Sequence, residues 1–285
     1  MAALTPAAPK GGPPGVLAGV SRRVVATVAV WLLLCAACAW ALTVRQASDM
    51  AGVVSGLALV GTPMPMTLTA PAFTAMWVGM TTAMMFPTVV PMVAAHRFVT
   101  RRRGDGPLAT VVFVLGYLMV WTAAGLLPLA ALLGFRHLSA GAGEAGWLTT
   151  AAGLAVAAAG VYQFTGWKSV CLRTCRSPMA FLMSHDFSGG ARTAVRAGLV
   201  YGGYCLGCCW ALMSLLLVVG LMNLVWMSVL ALVFLVEKCW RHGVGLTRIV
   251  GATLIVLGVL VVVEPAVLDL LAGGDVHQAN HEVDG

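Results

Sequence analysis

The sequence predicts an all-α fold: a polytopic transmembrane bundle of about seven spans, with the N-terminus inside and the C-terminus outside. Three observations predict it. Hydrophobic residues make up 60% of the 285 and charged residues only 9%, where a soluble domain carries about 25% charged. The apolar residues fall into runs of about 20, the length that crosses a bilayer as a helix. The 17 basic residues, all but Arg45 and Arg136, fall in alternate loops on one side, and the positive-inside rule makes that side the cytoplasm. The net charge of +7 is thus a topological signal. No aromatic-interleaved basic surface, phosphate-cradling glycine loop or serine-histidine-aspartate set accompanies it, so nucleic acid is not expected as a partner. The composition suits a multi-pass protein of a bacterial cytoplasmic membrane, with the lipid bilayer as its first partner.

Taken in order, residues 1–20 are rich in Ala, Pro and Gly and read as a disordered tail. Residues 21–271 form the transmembrane domain. Arg22 and Arg23 precede the first apolar run, 24–44. A cleaved twin-arginine signal is the alternative there, but the run has spanning length and no convincing Ala-x-Ala site ends it. Cys35 and Cys38 on this run read as packing. The loop 45–71 holds Met64 and Met66 between prolines, either a soft-metal contact or an apolar cap.

The second span, 72–95, carries Met76, Met80 and Met84 at four-residue intervals, one stripe on a helix. Pro87 and Pro91 continue that face. Each removes a helical hydrogen bond and frees a carbonyl four residues back, at Ala83 and Pro87. Membrane helices tolerate this where neighbours satisfy the freed group. A basic loop, 96–107, leads to the third span, 108–133, and a short loop to the fourth, 147–165.

Residues 166–196 are too polar to cross. Cys171 and Cys175 lie one helical turn apart there, and Lys168, Arg173 and Arg176 are expected to lower their thiol pKa. The alternative is a surface helix with basic anchors. The fifth span, 197–220, holds Cys205, Cys208, Cys209 and Met213 on one side of a helix, with Gly202, Gly203 and Gly207 to admit a close neighbour such as the second span. Packing of cysteine as a small hydrophobe is the bland alternative. The sixth span, 221–238, ends at Glu237-Lys238, where Glu237 is a ligand or proton site or else the two form an interfacial ion pair. The seventh is 246–268. Residues 272–285 form an acidic disordered tail with His277 and His281.

On this orientation Cys171, Cys175, Cys205, Cys208, Cys209 and Cys239 share the cytoplasmic half, where thiols stay reduced. Thiolates with thioethers select Cu(I), whereas thiolates with histidine suit zinc. The candidate metal ligands are Cys205, Cys208, Cys209, Met213, Met80, Met84, Cys171 and Cys175. Cu(I) is the expected ion and Zn the alternative, with a metal chaperone or metalloenzyme as partner.

The set Trp77-x-x-Met80-x-x-Ala83-Met84-Met85-x-Pro87, Gln163-x-x-x-Trp-Lys168-x-x-Cys171-x-x-x-Cys175, Gly203-x-Cys205-x-Gly-Cys208-Cys209-Trp210-x-Leu-Met213 and Glu237-Lys238 resembles a bacterial family. Its members are described as predicted metal-binding integral membrane proteins, a domain of unknown function sometimes labelled copper-chaperone-like. The similarity covers about 70–260 and implies a metal-binding membrane protein. Two rival functions stand beside it. One is a membrane thiol oxidoreductase cycling Cys205/Cys208 against Cys171/Cys175. The other is a non-catalytic subunit whose small residues pack against a partner.

Overall fold

In the computed structural model, residues 14–50, 69–139, 146–184, 190–219, 223–264 and 266–267 are described. Met64, Met66 and the acidic tail with His277 and His281 lie outside them. Among the described residues there are nine α-helices and no strand: α1 Pro14–Met50, α2 Ala70–Arg102, α3 Leu108–Ser139, α4 Gly146–Tyr162, α5 Gly166–Arg176, α6 Pro178–Ser184, α7 Ala191–Val219, α8 Leu224–Cys239 and α9 Gly243–Val263. The all-α expectation holds. Helix α1 reaches back to Pro14, into the stretch that composition marks as a tail.

Among the described residues five helices, α1, α2, α3, α7 and α9, are long and apolar enough to cross a membrane. The count is therefore not the expected seven. Helix α4 has 17 residues and α8 has 16. At 1.5 Å per residue each is about 25 Å long, short of a hydrocarbon core of about 30 Å.

Capping residues set several boundaries. Thr69, Thr165 and Asn223 accept from backbone amides in the first turns of α2, α5 and α8, each satisfying a donor that the helix start leaves orphaned. Helix α2 continues through the basic stretch expected to be loop and ends at Arg102, where Gly104, at φ +86°, turns the chain.

Glycines position the helix pairs. A Cβ on Gly198 would strike the Phe113 carbonyl oxygen, and one on Gly116 would lie 2.6 Å from that of Val195. Helices α3 and α7 therefore pack backbone to backbone, and in parallel. Gly153 and Gly160 face Gly258 and Gly251 in the same way, which sets α4 antiparallel to α9. Small residues permit such approach where no solvent drives helices together.

Helix α2 packs against α1, α3 and α8. The glycines of α7 do not serve the second span as expected: Gly202 meets Val120 and Tyr117 of α3, and Gly207 meets Cys171 of α5. The proline break in α2 is closed from α1. Trp40 Nε1 donates to the Ala83 carbonyl at 3.1 Å, the group that Pro87 leaves without a helical donor.

Candidate metal centre

Helix α5 is a short surface helix laid against α7. One turn separates Cys171 from Cys175, so both sulfurs face α7. Cys175 Sγ lies 3.8 Å from Cys208 Sγ, and Cys208 Sγ lies 3.7 Å from Cys209 Sγ. Cys205 lies one helical turn before Cys208 and Cys209 on α7. All four are at least nine-tenths buried. All eight cysteines are free.

Within α7 the Cys208 and Cys209 thiols donate back to the Cys205 carbonyl, at 3.1 and 2.7 Å. Cys171 is half-buried, its sulfur seated over Gly207, where a Cβ would come within 2.8 Å. Cys239 is exposed and stands apart from the group. Met80, Met84 and Met213 are buried.

The cluster includes residues that sequence reasoning missed. Lys238 Nζ lies 3.1 Å from Cys205 Sγ, 3.3 Å from Thr88 Oγ1 and 3.7 Å from Met85 Sδ. Tyr117 OH lies 3.2 Å from the same Cys205 sulfur. Four helices thus meet there: α2 through Met85 and Thr88, α3 through Tyr117, α7 through Cys205 and α8 through Lys238. The methionine beside Lys238 Nζ is Met85, one residue off the stripe of Met76, Met80 and Met84. A buried ammonium beside a thiol is costly unless the sulfur carries charge. The geometry therefore suits a thiolate at Cys205, held by a charge-assisted bond.

Glu237 and Lys238 do not form the interfacial pair expected of them. Both are buried, and successive residues on a helix point about 100° apart. Glu237 turns to Lys168 of α5, at 2.9 Å and 3.1 Å from its two oxygens. Gln163 also accepts from Lys168. Arg176 binds the Glu237 carbonyl at 2.6 Å and the Arg241 carbonyl at 3.3 Å. These bonds dock α5, and Cys175 with it, against α8.

The same bonds overturn the expected thiol activation on α5. Lys168 and Arg176 are committed to Glu237 and the α8 end, and Arg173 Nε donates to the Ser169 carbonyl. Burial, with the neighbouring Cys208, pushes the Cys171 thiol up. Hydrogen bonding to Cys205 and Cys208, and then burial, push the Cys175 thiol up.

Among the described residues, no group of three or more His, Cys, Asp or Glu side chains is arranged to hold a metal ion as it stands. The sulfurs form a string of neighbours. Among the described residues no histidine joins them: His96 is buried against Phe113, ring centroids 4.5 Å apart.

Fold and site together define a class of protein: an apolar helical bundle that buries a group of free thiols around one lysine. The family is then shown directly. Residues 74–261 match the model of the PpoB2 copper chaperone family, and the chain belongs to it. The match runs from α2 nearly to the end of α9 and leaves α1 outside. No curated protein and no solved structure matches the chain. Membership supports a copper-related role, and nothing in the site points to zinc.

Proposed function

We propose that the chain is a multi-pass protein of the bacterial cytoplasmic membrane that binds Cu(I) as cargo and hands it on, at or across that membrane, to a metal chaperone or metalloenzyme. The observation that carries this reading is the meeting of Cys175 with Cys208 and Cys209, at 3.8 and 3.7 Å. A thiolate–metal bond is about 2.3 Å. Two sulfurs on one ion are then about 4.0 Å apart in a three-coordinate, trigonal arrangement and about 4.6 Å apart when opposed. Both sulfur pairs lie a few tenths of an ångström inside the first of these distances. Thiolates with thioethers beside them select Cu(I) among common ions, and low-coordinate Cu(I) needs only two or three soft ligands. A string of sulfurs is accordingly a better device for transfer than a closed four-ligand cage.

In this reading Cys171, half-buried on a surface helix, takes the ion first. Cys175, Cys208 and Cys209 hold it, and Cys205 is the innermost sulfur. Lys238 supplies the cationic partner of that thiolate when no ion is present. The methionine stripe, Met84 and Met80, with Met213 on α7, continues away from the thiols. The seven-span topology is part of the proposal. Helices α4 and α8 cross despite their length, α4 because it lies antiparallel along α9, which is long enough to span. Modest thinning of the bilayer accommodates short spans.

The test is copper stoichiometry in protein purified and loaded with Cu(I) under anaerobic, reducing conditions. Wild type should hold copper. Cys175→Ser/Cys208→Ser should lose most of it while keeping its elution profile and helix content, and Cys205→Ser/Cys209→Ser should do the same. Wild type without copper under these conditions, or double variants with the full amount, would sink the reading.

A further inference from the structure

A second site lies between α1, α2 and α3, and none of the clustered cysteines lines it. It is a groove of about 540 Å³, within the 300–1,000 Å³ range of ligand pockets. Its body is apolar, lined by Val28, Leu32, Phe86, Val93 and Val114, with Trp31 and Leu115 at its open flank. One end is crowned by Arg23 of α1 and by Arg97 and Arg101 of α2. From Arg23 to Cys35 the groove follows α1 for 12 residues, about 18 Å at 1.5 Å each. It is a cleft with a cationic mouth and a hydrocarbon-like floor.

A further observation points to a ligand with acceptor oxygens. Thr110 lines the groove near its mouth, is 9% exposed, and its Oγ1 has no hydrogen-bond partner among the described residues. A buried hydroxyl without a partner is costly. Arg97 is partly spent on the carbonyls of Asp105 and Gly106. Arg23 and Arg101 are exposed, and no side-chain bond engages either among the described residues.

We infer that this groove is a binding site for an anionic diacyl phospholipid of the cytoplasmic leaflet, its phosphate at Arg23, Arg97 and Arg101 and an acyl chain along α1. Basic pockets between membrane helices on the cytoplasmic side take acidic headgroups in this way. A zwitterionic lipid would bring a headgroup cation up against the three guanidiniums. A free fatty anion would fill the groove with one chain and leave the open flank at Trp31 and Leu115 uncovered. Thr110 would donate to a phosphate or ester oxygen. One wall of the groove is α1, which lies outside the family match, so the site belongs to this chain rather than to the shared core. It goes beyond the copper reading and is independent of it.

The experiment is native mass spectrometry of the full chain, released from detergent carrying phosphatidylglycerol, phosphatidylcholine of matched chains, or oleate. Wild type should retain phosphatidylglycerol over the other two. Each of Arg23→Gln, Arg97→Gln and Arg101→Gln should lower that retention roughly fivefold, the weight of one basic residue at an anionic surface. Arg23 is exposed, so its variant does not hinge on folding. Val28→Trp should fill the groove and abolish the preference. Arg248→Gln, on α9, should change nothing. Equal retention of phosphatidylglycerol and phosphatidylcholine, preferred retention of oleate, or the same loss in Arg248→Gln would each overturn the inference.

Discussion

Glu237 and Lys238 are adjacent in sequence and belong to different networks. Lys168 and Glu237 form a buried ion pair, and such a pair is held less by its own attraction than by the cost of breaking it. Removing one partner strands the other charge, which costs about 3–5 kcal/mol, whereas replacing both by apolar residues is often neutral. Glu237→Leu should therefore destabilise the purified protein strongly, and Lys168→Met in the same background should restore most of the loss. Thermal unfolding in detergent measures both. If the single variant unfolds at the wild-type temperature, the pair is not buried in solution. Gly207 offers a finer probe. Its missing Cβ makes room for the Cys171 sulfur, so Gly207→Val should expel Cys171 and speed its alkylation while Cys175 stays protected. Unchanged alkylation of Cys171 would mean that its sulfur does not sit over Gly207.

At the scale of the helix, α2 is a broken element repaired by a neighbour. The two prolines and the freed Ala83 carbonyl are readable in sequence. The donor that satisfies it is not, because Trp40 lies 43 residues away on α1. Trp40→Phe keeps the aromatic bulk and deletes the donor. It should cost about 1–3 kcal/mol, the penalty of an unsatisfied buried carbonyl, measured as a lowered unfolding midpoint. An unchanged midpoint would show that some other group caps Ala83. Helices α4 and α9 depend on a different device, the facing glycines. A side chain at Gly258 would meet the Ala157 amide and the Gly153 carbonyl, neither of which can move aside. Gly258→Leu should therefore separate the two helices and lower stability by more than the 1–3 kcal/mol typical of overpacking. A neutral result would place α4 elsewhere.

For the whole molecule, the arrangement of charge gives a test that needs no purification. A reporter fused after Arg103 or after Gly190 should read as cytoplasmic, since on the proposed topology both sites follow an even number of crossings from a basic N-terminal segment. A periplasmic signal at Arg103 would invert the orientation, and with it the side from which Cys171 would take copper on the proposed reading. The parallel packing of α3 with α7 and the antiparallel packing of α4 with α9 agree with alternation through seven crossings. Redox state is the companion measurement. Cys171, Cys175, Cys205, Cys208 and Cys209 should all be alkylated as free thiols in rapidly quenched cells. A disulfide between any two of them would move the protein toward thiol oxidoreduction.

Composition and periodicity alone determined that the chain is helical and apolar, roughly where the centres of its long helices lie, and that cysteines crowd one face of Tyr201–Met213. These are properties of single segments, set by local hydrogen bonding and by transfer of side chains from water, and they need no knowledge of neighbours. Which sulfurs meet is a property of packing. Cys175 joins Cys208 because Lys168 and Arg176 tie α5 to the end of α8, bonds that span 69 and 61 residues. Met85 reaches the cluster through Lys238, which no spacing rule within one helix could place opposite Cys205. The lone glycines of α7 looked interchangeable in sequence, yet Gly198 admits α3, Gly207 admits a sulfur and Gly203 faces open space. Tertiary structure decided these because a helix face has no partner until another helix is set against it, and that choice rests on close packing summed over the whole bundle.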